Sequence, residues 1–241
     1  DIRKKWVRKG FAKVIVVSEN SYNGTQKDPL LKNKSICIPN GIYLPEKVIT
    51  TLPKKLHFCY VSRLDKPHSK LISFLLNEIW PSIIQRYPEA HLSIIGDGQG
   101  MQKIRQTASY LYPEILESIT LKGYAEKISH EITDASLVFG VGRVALESLL
   151  MGIPVLSVKN NRLGPIVTNN NFDYLQYGNF IDVNAPAPEK NTFLKIIDDF
   201  VINQHFYKNE ALEISKKIAA TNNIQHISER TITVYRELLR H

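Results

Sequence analysis

Residues 135–158 combine a glycine turn, an arginine and a carboxylate in a spacing suited to binding a phosphorylated ligand. Gly140 and Gly142 interrupt an apolar run, and apolar residues at helical spacing follow them. The start of a helix offers free N–H groups and the positive end of its dipole, which together favour phosphate. Arg143 lies at this start. Glu147 lies one turn further on, where a carboxylate is better suited to a sugar hydroxyl than to the anion.

Two simpler interpretations compete with this one. A glycine turn between a strand and a helix is common in α/β proteins and is a weak motif by itself. A lone glutamate such as Glu147 is more often a solvated carboxylate on a helix. The remaining motifs of the chain therefore decide between these interpretations.

Loops with basic residues, glycines or a tyrosine follow three other predicted strands. Their candidate binding residues are Arg63, Lys66, Lys70, Gly96, Gly98 and Tyr124. Because the carboxyl ends of parallel strands meet at one edge of a sheet, we expect these loops and the Gly140 turn to face the same ligand. The three cations are suited to phosphate oxygens. We interpret His68 as a polar loop residue rather than a base.

The elements that position these residues alternate between strand and helix. This alternation predicts an α/β fold with a Rossmann-like, doubly wound parallel sheet, followed by C-terminal helices. Pro81 lies inside a helical pattern over residues 69–87 and is expected to kink or split it. The predicted strands are 11–18, 35–42, 56–62, 91–95, 118–122, 136–139, 153–158 and an edge strand at 179–183. The other predicted helices begin near residues 101, 127, 143, 192, 207 and 224.

The composition of the chain limits its binding partners and its cellular location. The 241 residues carry a net charge of +8, concentrated at residues 3–9, so nucleic acid, an anionic membrane and a phosphorylated ligand compete as partners. No nucleic-acid-binding pattern is present, and we predict no nucleic-acid partner. No apolar run reaches the roughly 18–20 residues that span a bilayer, and no secretory signal is visible. Cys37 and Cys59 fit small core residues in a reducing compartment, so we expect a cytoplasmic protein with possible peripheral membrane contact.

Four ordered motifs resemble the donor-binding half of GT-B glycosyltransferases of the family 4, or glycosyl transferases group 1, type. They are Ser62-Arg-Leu-Asp65, Ile94-Ile-Gly-Asp-Gly-Gln99, Leu121-Lys-Gly-Tyr124 and the segment from Gly142 to Leu156. Residues 16–20 and 38–42 resemble the last strand of the acceptor half and the hinge that follows it. The resemblance implies a domain boundary, with residues 1–44 as the tail of the acceptor domain and hinge, and residues 45–241 as the donor-binding domain with terminal helices.

The resemblance also implies roles for particular residues. Arg63 would contact the diphosphate of a UDP- or GDP-sugar, and Glu147 would hold the ribose hydroxyls. The segment around Tyr124 would frame the base. The family's lysine falls at His68, with Lys66 or Lys70 as substitutes, and the family's first glutamate falls at Phe139.

The activity that the resemblance implies is transfer of a sugar, with retention of configuration, to a glycan or lipid-linked acceptor in polysaccharide biosynthesis. No carboxylate pair or His/Cys cluster has metal-ligand spacing, so we expect no metal and no cofactor beyond the donor. We interpret the sequence as the C-terminal part of such an enzyme. Two alternatives stay open: a non-catalytic nucleotide-binding or scaffold module, and a sugar-nucleotide epimerase of GT-B type.

Overall fold

The fold, seen in a computed structural model that describes residues 9–239, contains a two-stranded and a six-stranded sheet. The small sheet pairs β1 (Val14–Val16) in parallel with β2 (Ser35–Cys37). The strands of the large sheet lie in the order β5-β4-β3-β6-β7-β8. Their bounds are β3 His57–Val61, β4 His91–Ile95, β5 Ile119–Gly123, β6 Leu137–Phe139, β7 Val155–Lys159 and β8 Arg162–Ile166.

Helices cover the connections between these strands. In chain order they are α1 Glu19–Gln26, α2 Lys66–Phe74, α3 Trp80–Arg86, α4 Met101–Ala108, α5 Pro113–Glu117, α6 Ile128–Glu131, α7 Arg143–Leu150, α8 Phe172–Tyr177, α9 Lys190–Ile202, α10 Gln204–Thr221 and α11 Ile224–Leu238. Among the described residues, no helix is both long and apolar enough to cross a membrane.

The large sheet is buried on both faces, as the predicted doubly wound fold requires. Alternate residues of the central strands enter two separate cores, so Phe139 packs with α2, α3 and α9, whereas Val138 packs with α7 and α10. Strand β3 pairs in parallel with β4 on one side and with β6 on the other. The chain therefore reverses its winding direction between β3 and β6, which is where ligands bind in open α/β sheets. The predicted fold class is confirmed.

The helical pattern around Pro81 is split as expected. A π-helical segment, Leu75–Ile79, separates α2 from α3, and Pro81 lies in the first turn of α3. Proline lacks a backbone N–H and its ring crowds the preceding turn, so the α-helical hydrogen-bond ladder cannot continue unchanged through this point.

The predicted edge strand at residues 179–183 is wrong. Asn179 and Phe180 have positive φ angles of 57° and 62°, which are incompatible with an extended strand. The segment instead buries the Phe180 ring, and Ser157 Oγ donates a hydrogen bond to the Phe180 carbonyl at 2.7 Å. The edge strand is β8, which runs antiparallel to β7.

The chain passes twice between the small sheet and the large one. It leaves the small sheet at Ile42 and returns through Asn222 and Asn223 to α11, whose Ile227 and Val234 pack on Ile38. An isolated parallel bridge joins Ile42 to Asn223, so the two crossings lie side by side. The basic stretch at residues 3–9, for which an anionic membrane is one of the competing partners, lies outside the described residues except for Lys9.

Candidate functional site

Two glycines fix the turn between β6 and α7. A Cβ atom on Gly140 would lie 2.6 Å from Cγ1 of Val144, so only glycine lets α7 begin this close to the strand. Gly142 has a φ of 61°, which side chains rarely tolerate, and its N–H donates to the Asn179 carbonyl at 2.8 Å. The turn is therefore held by the irregular segment that sequence reasoning predicted as a strand.

The first turn of α7 leaves three backbone donors available. The N–H groups of Arg143, Val144 and Ala145 have no hydrogen-bond partner in the described part of the chain, and no side chain caps the helix. Unpaired donors at a helix start, together with the helix dipole, attract an anion. The anion site predicted from the glycine turn therefore has the backbone geometry that it needs.

Arg143 and Glu147 are paired with each other on α7. The Arg143 Nε donates to Glu147 Oε1 at 2.6 Å, one helical turn away. The Glu147 side chain is 17% exposed, whereas that of Arg143 is 60% exposed. Both line a cleft of about 790 Å³, which we call the α7 groove. It is lined by residues of α7 and the turn after it, by residues from the range 42–49 and by residues from the range 126–133.

A second, smaller cleft of about 260 Å³ joins the other predicted loops, and we call it the Arg63 cleft. Arg63, Gly96 and Tyr124 line it from the loops that follow β3, β4 and β5, and Val144 lines it from the first turn of α7, which follows β6. The structure thus brings these loops to one edge of the sheet, as the parallel topology predicted. Arg63 is largely exposed, and its Nη2 lies 3.4 Å from Oδ2 of Asp65.

Gly96 and Gly98 are needed for packing between loops. Their φ angles are 137° and 151°, and a Cβ atom on Gly96 would lie 1.9 Å from the carbonyl oxygen of Ser62. On Gly98 the corresponding atom would lie 2.6 Å from the carbonyl oxygen of Leu64. The absence of side chains at the two glycines lets the β4 loop approach the backbone on both sides of Arg63, where the Leu64 N–H donates to the Asp97 carbonyl at 2.9 Å.

The remaining basic candidates lie apart from both clefts. Lys66 and Lys70 are exposed on α2 and line neither cleft. His68 is not a loop residue: it is buried in the first turn of α2, where its Nδ1 lies 2.9 Å from the Tyr60 hydroxyl. Burial lowers the pKa of His68 and raises that of Tyr60, so both groups favour their neutral forms. The helix start at Asp65 explains this placement, because the Asp65 carboxylate accepts the His68 N–H.

Phe139 occupies the position of the expected first glutamate, and its ring lies in the core. Its centroid is 5.8 Å from that of Phe58 and 5.6 Å from that of Phe193, and the side chain is fully buried. It lines neither cleft. In the described residues no group of three His, Cys, Asp or Glu side chains is placed to hold a metal ion.

Several cleft residues were not predicted from the sequence. In the α7 groove they belong to the segment after Ile42, including Tyr43, and to α6 and the residues just before it, including His130 and Glu126. In the Arg63 cleft they are Ser62 and Asp97. Ser62 and Asp97 lie next to predicted strand ends, and this position was the signal that could have identified them as cleft residues. No periodic pattern marks Tyr43, since it lies in an irregular linker.

Comparison with known proteins places the large sheet in a family. Residues 55–183, more than half of the chain, match the family model described as glycosyl transferases group 1. This match confirms the resemblance predicted from the ordered motifs. Among curated proteins no match is found.

Solved structures share the fold over almost the whole chain. HepE from Anabaena, in complex with UDP-glucose, has a TM-score of 0.72 at 16% identity, covering 96% of this chain and 65% of that one. TarM from S. aureus, in complex with UDP among other ligands, has a TM-score of 0.71 at 17% identity, with coverage of 96% and 46%. Sucrose-phosphate synthase from Thermosynechococcus elongatus has a TM-score of 0.70 at 16% identity, with coverage of 98% and 60%. The chain therefore spans about half to two thirds of these proteins.

Proposed function

The chain belongs to the glycosyl transferases group 1 family, and on this basis we propose that it is the donor-binding half of a sugar transferase. The donor is a nucleotide-diphosphosugar, and the acceptor is a glycan or a lipid-linked sugar. We propose that residues 1–44 are the tail of the acceptor domain and hinge, and that residues 45–241 form the donor domain. The separation of the small sheet from the large one supports a boundary near residue 44, whereas α11, which this division places in the donor domain, packs on the small sheet.

One observation carries the proposal. The uncapped first turn of α7 lies at the switch point between β3 and β6, where Val144 lines a cleft with Arg63 and Arg143 lines a cleft with Glu147. A diphosphate at this helix start would receive backbone hydrogen bonds and the charge of Arg63. The ribose attached to it would reach the Glu147 carboxylate along α7, and Tyr124 would border the donor in the Arg63 cleft.

The same arrangement supports a transfer that needs no bound metal. Arg63, Arg143 and the α7 N–H groups together supply positive charge where a leaving diphosphate would develop negative charge. We propose UDP or GDP as the nucleotide. The UDP-glucose in the HepE structure supports the uridine form. Retention of configuration, a role in polysaccharide biosynthesis, and a cytoplasmic location with peripheral membrane contact belong to the same proposal.

Calorimetric titration of the 241-residue chain with UDP, GDP and ADP, at low salt with EDTA, tests the proposal. We expect selective binding of one nucleotide, in the micromolar range typical of such small ligands, and about tenfold weaker binding in the Glu147→Ala variant. Absence of binding for all three nucleotides would contradict the proposed donor site.

A second candidate function is favoured by Phe139. If an acid at this position is needed to hold the transferred sugar, a buried phenylalanine leaves the nucleotide site intact but removes that contact. The chain would then serve as a nucleotide-binding module without transfer activity. Turnover of a nucleotide-sugar by a longer protein that includes the acceptor half would exclude this alternative.

A further inference from the structure

Residues 43–48 form an irregular segment, which we call the strap, along one side of the α7 groove. The strap is fixed at its two ends. The Ile42 N–H donates to the Asn222 carbonyl at 2.8 Å, and the Ile49 N–H donates to the Met151 carbonyl at 2.8 Å. Between these anchors, residues 43–48 make no hydrogen bond to any other described residue. The strap therefore keeps its place through its anchors while its side chains stay available to a ligand.

The strap contributes an aromatic ring to the groove. Tyr43 is 73% exposed and supplies the groove's one phenol ring among the described residues. An exposed tyrosine needs no special explanation by itself. Its position in the wall of the cleft that also contains Glu147 is the informative observation.

The course of a bound nucleotide follows from the order of groups along α7. This step depends on the proposed function, which places the diphosphate at the start of α7 and the ribose at Glu147. The base is joined to the ribose at the end away from the phosphates. It would therefore occupy the α7 groove, which Glu147, the strap and residues 126–130 all line.

We propose that Tyr43 is the nucleobase-stacking residue of this site and that the strap lines the nucleoside pocket with Tyr43, Leu44 and Pro45. Every nucleobase presents a π face, and stacking on an aromatic side chain contributes substantially to affinity without sequence preference. Selectivity then comes from the segment before and in α6. Glu126, Ser129 and His130, which also line the groove, offer hydrogen-bonding groups of both kinds to the edge of the base.

The chain offers matched variants for a test. Tyr43→Ala removes the ring, and Tyr43→Phe keeps the ring but removes the hydroxyl. Tyr110→Ala removes a comparably exposed ring, 80% exposed, that lines neither cleft. Each variant is titrated calorimetrically with the nucleoside diphosphate that binds the unaltered chain best, and its melting temperature is recorded as a check on folding.

We expect Tyr43→Ala to weaken binding about tenfold or more, and Tyr43→Phe and Tyr110→Ala to stay within about twofold of the unaltered chain. Unaltered affinity in a folded Tyr43→Ala variant overturns the stacking role but leaves the donor site standing. Equal losses in Tyr43→Ala and Tyr43→Phe also overturn it, because the hydroxyl rather than the ring would then matter. Failure of the unaltered chain to bind any of UDP, GDP and ADP overturns the proposed function and this inference together.

Discussion

The Nε atom of Arg143 lies 2.6 Å from Oε1 of Glu147, so two residues predicted to meet different parts of one ligand are paired with each other. The pair is partly exposed, and such ion pairs contribute little to stability. The second carboxylate oxygen of Glu147 makes no hydrogen bond to the described residues. The pairing instead fixes the direction of the Glu147 carboxylate toward the groove.

Glu147→Ala is expected to weaken nucleoside diphosphate binding by about 1–3 kcal/mol, because hydrogen bonds from ribose hydroxyls to a charged group are lost. Isothermal titration calorimetry measures the change. Glu213→Ala is the matched control: Glu213 is also paired along a helix, with Lys216 at 2.7 Å, but it lines neither cleft. Equal affinities in the two variants would remove Glu147 from the binding site.

Arg63→Ala is expected to weaken binding about tenfold at low salt, since the guanidinium lines the Arg63 cleft and faces the proposed diphosphate. The loss should shrink as sodium chloride is raised, because ions screen an exposed charge. Lys70→Ala, on the exposed surface of α2, serves as the comparison and should have the smaller effect. A larger loss in Lys70→Ala would instead support the lysine as the phosphate contact.

Phe139→Glu is expected to destabilise the fold and to restore no sugar contact. The substitution removes a ring packed between Phe58 and Phe193 and buries a carboxylate without a partner, at a cost of about 3 kcal/mol or more. Urea unfolding followed by circular dichroism measures the change. Phe139→Leu, which keeps the site apolar, should cost only about 1–2 kcal/mol. A Phe139→Glu variant as stable as Phe139→Leu would show that this position can face solvent.

Acid should destabilise the amino end of the large sheet, where two histidines lie side by side. His57 Nε2 lies 2.9 Å from Ser93 Oγ, and His91 Nε2 lies 2.9 Å from Thr120 Oγ1. Burial, reinforced by the neighbouring Lys122 charge, lowers the pKa of both histidines below the usual 6.5, although Asp134 partly opposes this at His57. Lys122 is itself paired with Glu131.

The sign of the pH dependence follows from these lowered pKa values. Below pH 6.5 His57 and His91 bind protons in the unfolded chain but stay mostly neutral in the folded protein. The free energy of unfolding should therefore fall as the pH drops from 6.5 toward the folded pKa values. The His91→Gln variant should lose less stability over this range than the unaltered chain. Parallel urea-unfolding titrations at pH 7 and pH 5 measure the difference, and identical pH dependence would contradict the prediction.

The strand–helix alternation was predictable because buried parallel strands are short apolar runs and their helices carry apolar residues at helical spacing. The sequence predicted β6 and α7 within a few residues of their observed bounds for this reason. Strand β8 was missed because Gly164 and Pro165 interrupt it, and an antiparallel edge strand tolerates both. Residues 179–183 have a strand-like composition, but their positive φ angles are set by the tertiary contacts of Asn179 and Phe180.

The candidate site was predictable where one backbone feature determines it. Glycines that follow a parallel strand lie at the carboxyl edge of the sheet. This rule predicted that Arg63, Tyr124 and the start of α7 lie at that edge. The position of Tyr43 in the α7 groove could not be predicted, because it depends on the path of an irregular linker. The burial of His68 could not be predicted either, because it depends on where α2 begins and on a hydrogen-bonding partner, Tyr60, in the preceding strand.

The bridge between Ile42 and Asn223 has a mechanical consequence for the groove. Both chain crossings meet there, where the Ile42 N–H donates to the Asn222 carbonyl at 2.8 Å and the Ile224 N–H donates to the Ile42 carbonyl at 3.0 Å. The strap starts at this junction and ends just after α7, at Met151. A substitution that displaces the start of α11 would therefore be felt first by Tyr43, the residue that follows the junction, and through it by the lining of the groove.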